Sequence, residues 1–455
     1  MLYDIVILGG GSAGYSCALR SAQLGLKVCL IEGDKLGGTC LHKGCIPTKA
    51  FLHCAELVDD INHSEKFGIY SSIQNIDMSK VHEYKNKVIN KLYKGLQGLV
   101  AARKITYVQG FGSLISENKI KVGEKIFEGK NIVIATGSAP RMLKGLPIGG
   151  RIITSDEALA LERLPKSAII LGGGVIGVEF ASMWKSLGVN VTIIEALPHL
   201  VANEDESISK SLEKAFNARN IDFKTNTRFT DATQTKDEVT VTCDDGSKIS
   251  AELLLVAIGR RPVTENIGLE KVGVNINHGF VETNKYLHTG VANIYAAGDI
   301  VQGLQLAHRS FNHGIYIAEK IASLDCELPL EINIPRVTYC NPEIASVGYT
   351  TKQAKEKYGA ENVEVTEYNL AGNGKSQILG TTGFIKLIRQ KNGPICGFHA
   401  IGQRIGELVN EGQLIVNWEA FPEDLAKLIH AHPTQNEAIG EAGMLAFGRP
   451  LHAHN

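Results

Sequence analysis

Short apolar runs of strand length recur along the chain, and the most telling of them lead straight into glycine. Tyr3-Asp4-Ile5-Val6-Ile7-Leu8 runs into Gly9-Gly10-Gly11-Ser12-Ala13-Gly14, a helical stretch continues to about Leu24, and a second apolar run, Lys27-Val28-Cys29-Leu30-Ile31-Glu32, comes next. Near-continuous apolar runs, rather than alternating ones, fit strands covered on both faces. The spacing therefore predicts strand, glycine turn, helix, strand. The same order returns later: Ser167-Ala168-Ile169-Ile170-Leu171 precedes Gly172-Gly173-Gly174-Val175-Ile176-Gly177, a helix is predicted through Leu187, and Val189-Asn190-Val191-Thr192-Ile193-Ile194-Glu195 closes the unit.

The remaining pattern is discontinuous. A polar helix is predicted over about Lys80 to Arg103, then short strands up to Ile132-Val133-Ile134-Ala135-Thr136-Gly137-Ser138-Ala139-Pro140. An echo of that strand, Leu253-Leu254-Leu255-Val256-Ala257-Ile258-Gly259-Arg260-Arg261-Pro262, ends the second glycine unit. Asn293-Ile294-Tyr295-Ala296-Ala297-Gly298-Asp299 sets a further strand before an acid at a glycine turn, and His308 onward reads as a helix. From about Ile334 the texture changes to alternating strands such as Thr382-Gly383-Phe384-Ile385-Lys386-Leu387-Ile388 and then two helices, with no glycine fingerprint. The expected fold is α/β, with two Rossmann-like nucleotide-binding domains and a C-terminal α+β domain. The expected boundaries are residues 1–147 with 271–333, residues 148–270, and residues 334–455.

Each part of the repeated unit has a chemical reason. Gly9 makes the tight turn, Gly11 lets backbone amides approach a pyrophosphate, Gly14 permits close helix packing, and Glu32 ends the second strand where it can accept bonds from ribose hydroxyls. Gly172, Gly174, Gly177 and Glu195 repeat the set. Two such sites imply two dinucleotides. Glu195 would repel a 2′-phosphate, and no arginine comes after it until Arg219, so the second site is expected to prefer NAD to NADP.

Between the first unit and the polar helix lies Gly37-Gly38-Thr39-Cys40-Leu41-His42-Lys43-Gly44-Cys45-Ile46-Pro47-Thr48-Lys49. On a regular helix two cysteines five apart point about 140° away from each other. A disulfide there needs a distorted turn, which Gly38 and Gly44 permit. It would close a tiny loop and constrain the unfolded chain little, so its value lies more in being opened and closed than in stability. Two reduced thiols at a helix start are the plainer alternative. The nine cysteines are an odd number without C-x-x-C or zinc spacing, which fits neither a secreted disulfide framework nor a structural metal. Cys17, Cys29 and Cys54 sit in apolar helical or strand settings and are expected to be inert.

Bulk properties narrow the partners. A formal charge of −1 and a pI near 6.9 leave no electrostatic footprint for nucleic acid or an anionic membrane. The apolar runs fall far short of the roughly 20 residues a membrane helix needs. The first strand begins within three residues of Met1, which leads to the expectation of an intracellular, cytoplasmic protein.

These segments, in this order, together with His430-Ala431-His432-Pro433-Thr434, resemble the pyridine nucleotide-disulfide oxidoreductases from about Asp4 to Gly448. The resemblance implies FAD at the first fingerprint, with Lys49, Thr136, Gly137, Asp299, Ala307 and His308 among its contacts. It implies NAD at the second, with Glu179 and Gly259 added, and a C-terminal dimerisation domain in a homodimer. By the same matching Cys40 is the thiol that meets substrate, Cys45 lies against the flavin, and Lys49 pairs with Glu179 beside the nicotinamide. His432 becomes the base that takes the substrate thiol proton, and Glu437 at the next turn can orient its ring. The implied activity is NAD-linked reoxidation of dihydrolipoamide carried by lipoyl domains of acyltransferase components or of a glycine-cleavage carrier protein. A reductase for another disulfide or a metal ion, and a non-catalytic flavoprotein subunit, are the competing readings. Val175 stands where glutathione reductases carry tyrosine, their basic NADP cluster is missing, and the tail Leu451-His452-Ala453-His454-Asn455 lacks the thiol pair of mercuric reductase. Gln435 and Asn436 replace the common Leu-Ser, and Ser310-Phe311-Asn312-His313 replaces an acidic stretch.

Replacing Glu195 with a neutral residue and adding a neighbouring arginine is expected to move cofactor preference toward NADP, since repulsion of the 2′-phosphate becomes attraction. The ratio of NAD to NADP turnover measures this, and an unchanged ratio contradicts the assignment.

Overall fold

The computed structural model describes residues 1–453; His454 and Asn455, at the end of the tail, lie outside the described residues. The first sheet runs Thr106–Gln109, Val28–Glu32, Leu2–Leu8, Lys125–Ile134, Lys119–Val122, Gly112–Ser116, with Ile294–Ala296 also pairing with Lys125–Ile134. Leu2–Leu8 lies parallel to both Val28–Glu32 and Lys125–Ile134, with Ile5 opposite Val28 and Asn131. Strand order thus reverses at Leu2–Leu8, and a crevice opens beyond its carboxyl end, where open α/β sheets bind ligands. The helix Ser12–Gln23 covers this sheet together with Ala307–Ile321.

The second sheet is parallel throughout: Asp222–Lys224, Asn190–Ile194, Ser167–Leu171, Leu253–Val256 and Ile152–Ile153. Ser167–Leu171 and Leu253–Val256 are fully or nearly fully buried, which explains why they read as unbroken apolar runs. The two echoing strand ends meet, Ser138–Pro140 pairing antiparallel with Arg260–Pro262. Ile267 and Leu269 already belong to the core of the first sheet. The C-terminal unit is an antiparallel sheet ordered Arg336–Thr338, Glu343–Gly348, Ile395–Gly402, Phe384–Gln390, Val363–Asn369. It carries more helix than the two the pattern suggested, including Thr351–Tyr358, Val409–Asn417, Pro422–Lys427 and Glu437–Ala446. The short ones lack the length that gives a readable period. Among the described residues no helix is long and apolar enough to cross a membrane.

Two buried ion pairs dock the second sheet's unit onto the C-terminal one. Arg336 meets Glu204 at 3.1 Å, and Lys386 Nζ meets Asp205 Oδ1 at 2.8 Å with both side chains at 6% exposure or less. Burial alone would raise the Asp205 carboxyl, yet the Lys386 ammonium and the Thr351 backbone N–H, which donates at 2.7 Å, hold it well below the carboxylate range. Lys386→Met strands that carboxylate without its cation and is expected to cost about 3–5 kcal/mol at neutral pH. A depressed folded-state pKa contributes stability that is present above the unfolded carboxylate range and lost as pH falls through the folded value. The deficit, read from urea unfolding midpoints, should therefore shrink as the pH is lowered below about 4; a pH-independent deficit contradicts the assignment.

Candidate nucleotide and dithiol site

The two glycine turns are built alike down to single atoms. Gly9 and Gly172 both sit at φ +105°, where a Cβ would lie 2.2 Å from Ala135 O and 2.4 Å from Ala257 O. A Cβ on Gly14 would stand 1.8 Å from Gly9 O, and one on Gly177 would stand 1.9 Å from Gly172 O, so each helix can approach its turn only with glycine there. Glu32 accepts from the Gly10 N–H at 2.6 Å and the Asp34 N–H at 2.7 Å; Glu195 accepts from Gly173 at 2.5 Å and Leu197 at 2.7 Å. Each acid thus pins the turn beside it.

The helices after these turns, Ser12–Gln23 and Val175–Ser186, begin at a glycine, have no side-chain cap and carry no acid in the first turn. Their leading amides and dipole are left to an anion. A Cβ at Gly174 would meet no atom within 4 Å, and one at Gly11 would meet only Gly38 Cα at 3.9 Å. The residues present therefore fit a pyrophosphate at each turn.

A cleft runs from the first turn past the cysteines to the start of the second helix. Gly9, Gly11, Glu32, Thr136, Gly137, Asp299 and Ala307 line it, as do Cys40, Cys45, Lys49, Val175 and Glu179. Gly14 lies behind it, consistent with a packing role. His308 does not face it: the ring is exposed and its Nε2 lies 2.7 Å from Pro335 O. On the helix Ala307–Ile321 positions 307 and 310 line the cleft, whereas 308 is turned about 100° from 307. Gly172, Gly174, Gly177, Glu195 and Gly259 lie outside this lining, around the second turn. Ser138, which sequence reasoning missed, donates to Asp299 at 2.6 Å and accepts from Arg260 Nε at 2.8 Å. The pairing of the two echoing strands places it there. Gln305 also lines the cleft, and its buried amide nitrogen has no partner among the described residues.

The cysteine segment breaks as its glycines allow. A short helix, Gly38–His42, stops at Lys43, and a longer one, Cys45–Asn62, starts from Gly44. A Cβ on Gly38 would lie 2.7 Å from Gly11 Cα, so the thiols sit directly against the first glycine turn. Both cysteines are half-buried. Interaction between the two thiols, with burial, pushes Cys40 up, and the same interaction draws the Cys45 thiol down to about 7 against its own burial. Lys49, one turn on, pulls Cys45 the same way. Cys17 and Cys29, by contrast, are pushed up to about 12 by burial, and Cys54 is also raised.

Lys49 Nζ bonds both oxygens of Glu179, at 2.9 and 2.8 Å, joining the thiol helix to the helix of the second fingerprint. Glu179 is buried at 4% exposure while Lys49 keeps about a third of its surface. Burial works against the Lys49 charge, but the Glu179 carboxylate outweighs it and the ammonium's pKa is raised.

His432 stands apart, 77% exposed, with Nδ1 2.8 Å from Glu437 Oε1. Glu437 Oε2 accepts from the Thr434 N–H at 2.7 Å; burial pushes this carboxyl up, but that amide and the imidazole bring it down overall. The unusual Gln435 and Asn436 lock the same loop: Gln435 Nε2 donates to Gln403 O at 3.0 Å, and Asn436 Nδ2 donates to Glu411, whose other oxygen meets His430 at 2.8 Å.

Comparison with known proteins agrees with this construction. The pyridine nucleotide-disulphide oxidoreductase model matches residues 3–314, and that family's dimerisation domain matches residues 334–443. A dihydrolipoyl dehydrogenase of Bacillus subtilis is 40% identical, with 99% of each chain covered, and the mitochondrial dihydrolipoyl dehydrogenase of Pisum sativum is 36% identical, covering 99% of this chain and 92% of that protein. The crystal structure of LpdA from Mycobacterium tuberculosis superposes with a TM-score of 0.91 at 26% identity, over 97% of this chain and 99% of the other. Paired glycine turns, a dithiol against the first of them, and matches at this identity along the whole length mean that the chain belongs to the pyridine nucleotide-disulphide oxidoreductase family, flavoproteins that use FAD and NAD.

Proposed function

We propose that the protein reoxidises dihydrolipoamide carried on the lipoyl domain of another protein and passes the electrons to NAD. It works as a cytoplasmic homodimer serving 2-oxoacid dehydrogenase or glycine-cleavage complexes. The observation that carries this reading is the Cys40–Cys45 pair held against the first glycine turn with Lys49 one turn behind it. In this reading residues 1–147 with 271–333 form the FAD domain, 148–270 the NAD domain and 334–455 the interface. Gly9, Gly11, Gly14, Glu32, Thr136, Gly137, Asp299 and Ala307 serve the flavin, and Gly172, Gly174, Gly177, Glu195 and Gly259 serve NAD.

FAD held by Gly9, Gly11, Glu32 and Asp299 would supply the chemistry thiols lack, two-electron transfer between the dithiol and the nicotinamide. The protein's own groups handle sulfur and protons. With the pair oxidised, a lipoyl thiolate attacks Cys40, the Cys40–Cys45 bond breaks, and Cys45 leaves as a thiolate stabilised by Lys49. The second lipoyl thiolate then attacks the lipoyl sulfur bound to Cys40, closing the lipoyl disulfide and releasing Cys40. Both attacks require thiolates. His432 takes the first thiol's proton at Nε2, because Nδ1–H is committed to Glu437 and the ring is left with one free acceptor, and it passes that proton to the Cys40 sulfur as it leaves, so that Nε2 can take the second.

A steady-state assay with dihydrolipoamide and NAD, set against glutathione disulfide with NADPH, tests the reading directly. Turnover is expected only with the first pair. Cys40→Ser and Cys45→Ser should each abolish it, but only Cys40→Ser should keep the long-wavelength absorbance of a thiolate beside the flavin; survival of that band without Cys45 reverses the two roles.

In one chain the exposed His432 is absent from the lining of the thiol cleft, which supports a site shared across a two-fold axis. Cys40→Ser and His432→Gln homodimers are each expected to be nearly inactive, the latter down by roughly two or more orders of magnitude. Mixed dimers should recover about half of wild-type activity per dimer, one of two sites being intact. No recovery in verified hybrids places thiol and base on the same chain.

A further inference from the structure

Tyr339 touches both members of the Lys49–Glu179 pair. Its ring lies 4.7 Å from the Lys49 ammonium, and its backbone N–H donates to Glu179 Oε1 at 2.9 Å. The three residues come from three parts of the chain: Lys49 from the thiol helix, Glu179 from the second fingerprint's helix, and Tyr339 from the loop after strand Arg336–Thr338 of the C-terminal sheet. The rest of that loop is fixed as well. The Asn341 N–H donates to Ser182 Oγ at 2.9 Å, its Nδ2 donates to Asp59 at 3.2 Å, and its carbonyl accepts from Arg219 at 2.8 Å.

Lys49 needs such a support. Its ammonium is a point charge on a flexible four-carbon stem, and the residue lines two clefts: the nucleotide cleft with the thiols, and a second one behind it. Tyr339, Cys340 and Asn341 line that second cleft, so the Tyr339 ring stands on the side toward which Lys49 would otherwise turn. The negative face of an aromatic ring attracts a cation, by about 0.5–2 kcal/mol according to how far it is desolvated. The N–H on Glu179 satisfies a buried carboxylate oxygen that would otherwise rely on Lys49 alone.

We propose that Tyr339 is a positioning residue for the dithiol-to-nicotinamide reaction, its ring and main-chain N–H holding the Lys49 ammonium beside Cys45 so that docking of the C-terminal domain sets the electrostatics of the thiol. The inference rests on the roles proposed for Cys45 and Lys49. It adds a residue from outside both nucleotide units, acting through Lys49 rather than on substrate. His53, Glu56, Asp59, Glu343, Arg404 and Glu407 are the other charged groups facing the second cleft. Burial and the neighbouring Glu56 and Glu407 raise the Glu343 carboxyl, so that residue requires its own control.

The test uses the FAD-loaded protein in a Cys40→Ser background, where Cys45 titrates alone. Its thiolate is tracked by long-wavelength absorbance and, independently of the flavin, by the pH dependence of its alkylation by iodoacetamide. Tyr339→Leu is expected to move the Cys45 midpoint upward by roughly 0.5–1 pH unit, whereas Tyr339→Phe, which keeps the ring, stays at the parent value. Should the leucine variant fail to fold, successive fluorination of phenylalanine at 339 weakens the ring's negative face without changing its shape, and the midpoint should climb with each fluorine. Asn341→Ala, which loosens the same loop without touching the pair, and Glu343→Gln should leave the Tyr339-dependent shift in place and cause none of that size themselves. Equal midpoints for the parent, leucine and fluorinated variants overturn the proposal, as does an equal shift from Asn341→Ala. Lys49→Met separates the two levels: if it moves the midpoint and Tyr339→Leu does not, only the role of Tyr339 falls, and if Lys49→Met has no effect the underlying role of Lys49 falls with it.

Discussion

The ion pair between Lys49 and Glu179 is the contact on which the arrangement of the site depends. Removing a carboxylate and an ammonium from water costs several kcal/mol per ion, and attraction offsets this only with good geometry and the remaining lone pairs satisfied. Here Lys49 reaches both carboxylate oxygens and the Tyr339 N–H adds a third bond to Glu179. A packed apolar pair would join the two helices about as well, so stability is a poor explanation for keeping charges in this position. What the pair provides is a cation fixed one turn behind Cys45, at the seam between the thiol helix and the helix that begins the second nucleotide turn. Cys45 is drawn down chiefly by Cys40, against burial, and Lys49 adds to that pull, while Cys40 is pushed up by Cys45 and by burial. Two chemically identical side chains are thereby made unequal chiefly by each other, with Lys49 reinforcing the pull on Cys45.

Much of the fold was legible because its constraints are local and steric. A strand, a turn at positive φ and a helix packed within a carbonyl's reach demand glycine at set spacings, so Gly9, Gly14, Gly172 and Gly177 announce their geometry in the sequence. Buried parallel strands announce themselves through continuous apolar runs. The discontinuous return of Ile294–Ala296 to the first sheet was readable for the same reason, since a short apolar strand ending at Gly298-Asp299 has the texture of that sheet and not of the alternating strands beyond Ile334. The break between the two cysteines was likewise foreshadowed by Gly38 and Gly44.

What could not be read depends on contacts between distant segments. Tyr339 lies 290 residues from Lys49 in the chain, and neither a tyrosine in a strand-end loop nor its backbone N–H carries a local signal of the carboxylate it meets. Ser138 and Arg260 are brought to Asp299 by an antiparallel pairing of two strand ends, and only their resemblance to each other hinted at it. His308 shows the opposite failure. The resemblance set it in a flavin-contacting helix, but a helix turns each successive residue by about 100°, and the ring lies on Pro335 instead of the cleft. Gln435 and Asn436 looked like departures near a reactive histidine, whereas their side chains hold the loop from beneath through Gln403 and Glu411.

The remaining asymmetry concerns the base. A histidine meant to take protons from thiols needs a fixed ring and an open nitrogen, and the His432 loop supplies both: Glu437 holds one nitrogen, the Thr434 N–H holds Glu437, Asn436 ties the loop to Glu411 of the helix Val409–Asn417, and the other nitrogen is left open. Holding an imidazole this firmly at 77% exposure costs side-chain entropy with no burial to offset it. Such a constraint is hard to explain for a surface residue of an isolated chain. It is readily explained if the surface becomes interior when a second copy arrives, the dimerisation domain of one chain covering the thiol cleft of the other and the exposed nitrogen finding sulfur instead of water. The thiols, set against the first glycine turn, and the histidine, set on the last domain, are then two halves of one site.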